Sequence, residues 1–140
     1  MFATPEEAEY AFYEAMRQGD AALMMRVWSD DEDAVCIHPG GLRILGPRAI
    51  RASWERVFAN GPVNASPSQV KAVTGVMSAV HLLIERIRVN TPRGKDTLHF
   101  YATNLYQKGP EGWRMIVHHA SPAPREAEML DRPDPARTLH

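Results

Sequence analysis

Histidines embedded in apolar segments are the residues of this chain best suited to chemistry. His38 closes the run Asp33-Ala34-Val35-Cys36-Ile37-His38-Pro39, and His119 lies in Trp113-Arg114-Met115-Ile116-Val117-His118-His119-Ala120-Ser121. Imidazole is the side chain whose ordinary pKa lies near neutrality. Enclosed among apolar groups it is costly to charge, its pKa falls, and it becomes a base usable at neutral pH. Strand alternation sets His119 on one face with Met115, Val117 and Ser121 and turns His118 the other way. If Met115 and Val117 face a cavity, His119 does too, and His38 can meet it there. The expected catalytic pair is therefore His38 and His119. Rings on opposite faces cannot close on one small ion, and neither His81 nor His99 sits in a His-Glu-x-x-His pattern. No metal site is expected. No cofactor is expected either, since there is no glycine-rich phosphate loop and no Gly-x-Ser-x-Gly elbow.

Other side chains offer shape rather than proton transfer. Trp28 and Trp54 fall at buried helical spacings, where they form either core or an aromatic wall for a flat ligand. On the segment Thr97–Lys108, Tyr101 and Thr103 share a face with His99 and Leu105, while Phe100, Ala102, Asn104 and Tyr106 share the other. One of these faces lines the interior. The single cysteine, Cys36, has no partner for an internal disulfide and reads as a small buried hydrophobe.

The elements that must position these residues have recognisable starts and stops. Thr4-Pro5-Glu6-Glu7 combines a capping threonine, a proline suited to the first helical position and a glutamate placed to close a capping box. Ala8, Phe12, Ala15 and Met16 follow on one face, and Gly19 can end the helix in the left-handed conformation. Asp20 then caps a short helix bearing Leu23, Met24, Val27 and Trp28. Ala34–His38 reads as a strand, broken by Pro39-Gly40-Gly41, and Leu42–Leu45 as a short extended piece. Gly46-Pro47 opens a third helix with Ile50, Trp54, Val57 and Phe58 as its buried stripe, ended by Asn60-Gly61-Pro62. Strands over Ser68–Thr74, Val76–Asn90, Thr97–Lys108 and Gly112–Ser121 follow, joined by short loops that imply antiparallel hairpins. Val76–Ile84 is apolar on both faces, as expected where one face meets helices and the other a partner subunit. Helices first and strands afterwards means an α+β fold. Residues 1–121 form one domain, and 122–140, with Pro124, Pro133 and Pro135, a polar proline-rich C-terminal tail.

Composition excludes several partner classes. Lys plus Arg number 16 against 17 Asp plus Glu, and the basic residues are scattered, so neither nucleic acid nor an anionic membrane surface is an expected partner. No apolar run approaches the ~20 residues of a membrane span. The N-terminus has neither the basic nor the apolar region of a secretory signal, so a cytoplasmic protein is expected.

The succession of helix, helix, short strand, capped helix and long antiparallel strands resembles the nuclear transport factor 2-like superfamily. That superfamily includes SnoaL-like polyketide cyclases, ketosteroid isomerases, scytalone dehydratase and the association domain of calcium/calmodulin-dependent kinase II. The likeness runs from Thr4 to Ser121 and is carried by Gly19-Asp20, the segment 33–39, Gly46 through Trp54, and Trp113 through Ser121. It implies a cystatin-like, cone-shaped, strongly curved antiparallel sheet folded over three N-terminal helices, with a cavity in the cone and a homodimer formed through the sheet's outer face. It favours Tyr101 and Thr103 as cavity-lining; Trp28, Trp54 and Tyr13 are expected as further ligand contacts. His38 stands where the isomerases carry their aspartate base. Phe12 stands at the place of their helix-one tyrosine, with Tyr13 adjacent and pointing elsewhere on the helix. Between Asp96 and Lys108 there is no acid, so the isomerases' protonated aspartate has no counterpart there. The resemblance implies a small-molecule pocket, and a cofactor-free isomerase, dehydratase or cyclase using His acid/base chemistry on an apolar carbonyl compound. The alternative is a non-catalytic homodimerisation or association module.

Overall fold

The helix starts written in the sequence are made by the side chains expected to make them. The computed structural model describes residues 1–130. Thr4 accepts the Glu7 backbone N–H at 3.1 Å, and the Glu7 carboxylate reaches back to the Ala3 N–H at 2.7 Å, which starts α1 (Pro5–Gln18). Gly19 ends it at φ 63°, a backbone setting that favours glycine. Asp20 accepts the Leu23 N–H at 3.0 Å and starts α2 (Ala21–Val27). The third helix, α3, spans Pro47–Phe58.

Six strands form one curved, unclosed sheet in the order β2-β1-β6-β5-β4-β3. They are β1 (Val35–Ile37), β2 (Arg43–Leu45), β3 (Asn64–Thr74), β4 (Ser78–Thr91), β5 (Gly94–Gly109) and β6 (Gly112–Pro122). The long strands pair antiparallel, as the short connecting loops require, but β1 joins β6 in parallel. β3 begins four residues before the expected Ser68. It absorbs Pro67 because it is an edge strand, where a missing N–H costs no ladder bond.

The helices cover the concave face, and the core lies between. Phe12, Tyr13, Met24, Trp28, Trp54, Tyr106 and Met115 are all buried. Strand alternation assigns the inner face on β4 to Ala79, His81, Leu83 and Glu85, and on β5 to Ala102, Asn104 and Tyr106. β6 departs from alternation. Tyr106 pairs with Met115 and Leu105 with Val117, so Ile116 is a surplus residue. This bulge advances the phase by one, and the inner face of β6 reads Met115, His118, Ala120.

Beyond Pro122 the chain packs along the sheet. Ala123 N–H donates to the His99 carbonyl, and Ala127 is buried within the short helix α4 (Ala127–Leu130). Glu128 accepts from Ser68 and pairs with Arg86 at 3.2 Å. The expected tail thus begins as a docked segment, and its remainder, 131–140, lies outside the described residues. Among the described residues no helix is long and apolar enough to cross a membrane.

Candidate functional site

Polar side chains from four elements converge inside the cone. Glu9 and Tyr13 stand one turn apart on α1, on the face that also carries Phe12. Glu85 comes from β4, Asn104 and Tyr106 from β5, and His118 from β6. The Tyr13 hydroxyl donates to Glu85 Oε2 at 2.8 Å, and the Asn104 amide donates to the Tyr13 oxygen at 3.1 Å. Asn104 Oδ1 lies 2.6 Å from His118 Nδ1. Glu9 Oε2 receives the Tyr106 hydroxyl at 2.8 Å, the Asn104 amide at 3.4 Å, and lies 2.9 Å from His81 Nδ1. His118 Nε2 stands 3.9 Å from Glu85 Oε2, and each residue is only 2% exposed.

Beside this cluster, half-buried His38 directly follows β1. Its Nε2 lies 3.0 Å from Ser53 Oγ, whose own hydrogen is committed to the Ile50 carbonyl at 2.7 Å. His38 must therefore donate through Nε2–H, leaving its Nδ1 as the basic atom. Trp54 stacks edge-on to His38 at 4.6 Å and lies 6.1 Å from the His118 ring, so an indole separates the two imidazoles. Among the described residues the Trp54 indole N–H has no acceptor.

Burial sets the charge states. Desolvation pushes the Glu85 carboxyl up to about 7, against the lowering effect of the Tyr13 hydrogen bond, and Glu9's charge adds to the rise. Desolvation pushes His118 down to about 3, helped by His38 and His119. Glu85 and His118 are thus not an ion pair despite their proximity, because burial keeps the imidazole neutral. His38 is lowered by burial and by the Arg56 charge. Burial and the Glu85 charge raise the Cys36 thiol to about 12, so it is an inert core residue.

The expected pair of His38 with His119 is corrected by this geometry. His119 is exposed on the outer face, and its neighbour His118 takes the interior position, because the bulge at Ile116 breaks the alternation linking Met115 to Val117 and His119. Tyr101 and Thr103 also lie outward, where they border a shallow depression of about 230 Å³ with Leu82 and Ile84. The opposite face of β5 lines the interior. Trp28 is buried beneath a separate depression of about 240 Å³ beside Arg48 and Arg51, away from the polar cluster. Trp54 stands between the His38 and His118 rings. Tyr13, expected to point elsewhere, is fully buried with its hydroxyl on Glu85. Glu85, Asn104, His118 and Glu9 were not anticipated as a group. Their signal is that Glu9 and Tyr13 share a helix face with apolar residues, and that His81 and Glu85 fall at alternating positions of an otherwise apolar strand. Among the described residues no cluster of His, Cys, Asp and Glu has metal-holding geometry.

The SnoaL-like domain family matches residues 6–126. No protein of curated function matches. Among solved structures, a candidate calcium/calmodulin-dependent protein kinase type II association domain from Thiobacillus denitrificans is similar, at TM-score 0.81 and 33% identity, over 89% of this chain and 98% of that one. A candidate dehydratase of the NTF2-like family from Streptomyces avermitilis superposes at TM-score 0.74 with 27% identity, over 83% of this chain and 91% of its own. A Caulobacter vibrioides protein described only as having a cystatin-like fold reaches TM-score 0.74 at 17% identity, over 90% and 92% of the two chains, and speaks to fold alone. Curved sheet, three leading helices and family match agree: the chain belongs to the SnoaL-like family of the nuclear transport factor 2-like superfamily.

Proposed function

We propose that the cone of this protein binds a small, largely apolar, carbonyl-bearing compound and acts on it by cofactor-free acid/base chemistry of the isomerase, dehydratase or cyclase type. The observation that carries this reading is the Glu85–His118 pair, 3.9 Å apart and 2% exposed, at the centre of a buried polar cluster. Burying such groups costs stability, and a scaffold alone gains nothing from them that hydrophobic residues would not supply. Glu85, near 7, is the group matched to proton transfer at neutral pH, so the role expected of the histidines passes mainly to this carboxyl. Ionised, it takes a proton from carbon; it then returns that proton to a second carbon in isomerisation or to a departing hydroxyl in dehydration. The unspent Trp54 N–H is a donor suited to a carbonyl oxygen, while the Tyr13 hydroxyl, spent on Glu85, holds that carboxyl in place. His38 and Trp54 cover the mouth and must shift to admit a ligand.

A thermal-shift screen against steroid-like and polyketide-like compounds tests the reading. Binders should raise Tm, Trp54→Phe and Tyr13→Phe should weaken them, and His119→Ala should not. Glu85→Gln should keep binding while turnover of a hit falls by about 10²–10⁴. A screen without binders, or binders indifferent to Tyr13 and Trp54, would refute it.

The outer face favours a second role that can coexist with the first. Val73 (59% exposed), Leu82 (42%), Leu98 (42%) and Tyr101 (37%) give β3, β4 and β5 an apolar exterior. We propose that a second copy of the chain covers it, forming a homodimer.

A further inference from the structure

We propose that Asn104 is the positioning residue of the interior site: oriented by Glu9, its carboxamide holds His118 in the Nδ1–H tautomer and turns the Nε2 lone pair toward Glu85. The inference deepens the reading above and rests on it for its catalytic meaning, though not for its geometry.

The argument follows donors and acceptors outward from Glu9. Three groups converge on Glu9 Oε2: the Tyr106 hydroxyl, His81 Nδ1 and Asn104 Nδ2. An oxygen serving that many donors is an acceptor. Asn104 must therefore present its NH₂ to Glu9, because the flipped amide would set Oδ1 against that oxygen. The same NH₂ reaches the Tyr13 oxygen, whose hydrogen is thereby free for Glu85. With its nitrogen committed, Asn104 faces His118 with Oδ1, and at 2.6 Å that oxygen requires a hydrogen on His118 Nδ1. Nε2 is left as a lone pair opposite Glu85 Oε2. A free histidine favours the other tautomer, so the protein must impose this one, as second-shell partners do at metal-bound histidines. The remaining ionisable neighbours do not compete for the ring. Cys36, opposite His118 on β1, is a neutral thiol, and His38 has its Nε2–H on Ser53. The consequence is an interior in which the His118 Nε2 lone pair faces the Glu85 carboxyl across 3.9 Å.

Nitrogen-15 spectra of the histidine rings in the full-length protein test this, with His118 assigned by its loss in His118→Gln. At neutral pH the wild type should give a pyrrole-type Nδ1 and a pyridine-type Nε2. Asn104→Leu should cut the Nδ1–H population by at least half. The double variant Glu9→Gln/Asn104→Asp, which keeps an acceptor toward His118 and a donor–acceptor match behind it, should restore it. Should Asn104→Leu not fold, cross-relaxation in the wild type decides, since the Asn104 NH₂ protons must lie near the Tyr13 ring and not near His118. An Nε2–H wild type, an unchanged pattern in folded Asn104→Leu, or a carboxamide turned the other way each overturns the proposal. A failed ligand screen would remove the proposed reaction and leave this result intact, so the two failures are distinguishable.

Discussion

Glu85 and His118 respond to pH in opposite senses, which makes the interior readable by denaturation. Folding raises Glu85 from 4.5 to about 7, so its stabilising effect is full below 4.5 and is lost as pH rises through about 7. Folding lowers His118 from 6.5 to about 3, so its effect is present above 6.5 and is lost as pH falls toward 3. Between 4.5 and 6.5 the two slopes oppose each other. Glu85→Gln removes one of them. Relative to wild type, the variant's unfolding free energy should decline from pH 7 to pH 4.5 by roughly 1 kcal/mol per pH unit. His38, lowered by burial, and His81, raised by its bond to Glu9, are common to both proteins and drop out of the difference. Urea titrations across the window supply the measurement; a difference that ignores pH would mean the carboxyl is not held neutral.

At the scale of elements, the ladder between β5 and β6 depends on a tight approach at their turn. Gly112 has φ 91°, and a Cβ there would meet the Phe2 carbonyl oxygen at 2.5 Å, the same oxygen that accepts the Trp113 N–H. Gly94, in the β4–β5 turn, also has positive φ but opens onto free space. Gly112→Ala should therefore cost upward of about 2 kcal/mol, and Gly94→Ala about 1. Equal losses in chemical denaturation would show that backbone conformation alone matters at both turns. What the sequence disclosed at this scale followed locality. Thr4, Asp20 and Gly19 act within one turn of themselves, and their roles were legible from neighbouring residues. The Ile116 bulge was not, because a surplus residue is defined by the strand opposite, and nothing in Met115-Ile116-Val117 marks it. One unmarked residue was enough to exchange His118 for His119. The inward face of β5 was undecidable for a related reason: Tyr101 and Thr103 are as plausible beside helices as Asn104 and Tyr106, until the Glu9 and Tyr13 side chains facing them are known.

For the whole molecule, the cone separates two kinds of surface: a buried polar cluster inside and exposed apolar side chains outside. The proposed homodimer predicts a mass of two chains in sedimentation equilibrium. Leu82→Glu, which sets a charge in the centre of β4's exterior, should yield a monomer that keeps the buried network. A wild-type monomer at micromolar concentration would rule the pairing out. The docked segment after Pro122 lies alongside, with Glu128 held by Ser68 and Arg86, so a partner on this face must accommodate it.

Were Ile116 paired with Leu105 instead of bulged out, the ladder would run on unbroken, and Val117 rather than His118 would come to rest opposite Asn104. The carboxamide would then confront an isopropyl group, and the polar cluster would lose its ring. An irregularity of one amino acid thus decides which side chain meets Asn104, and descendants that keep these residues in this order keep the imidazole inside only by keeping the kink.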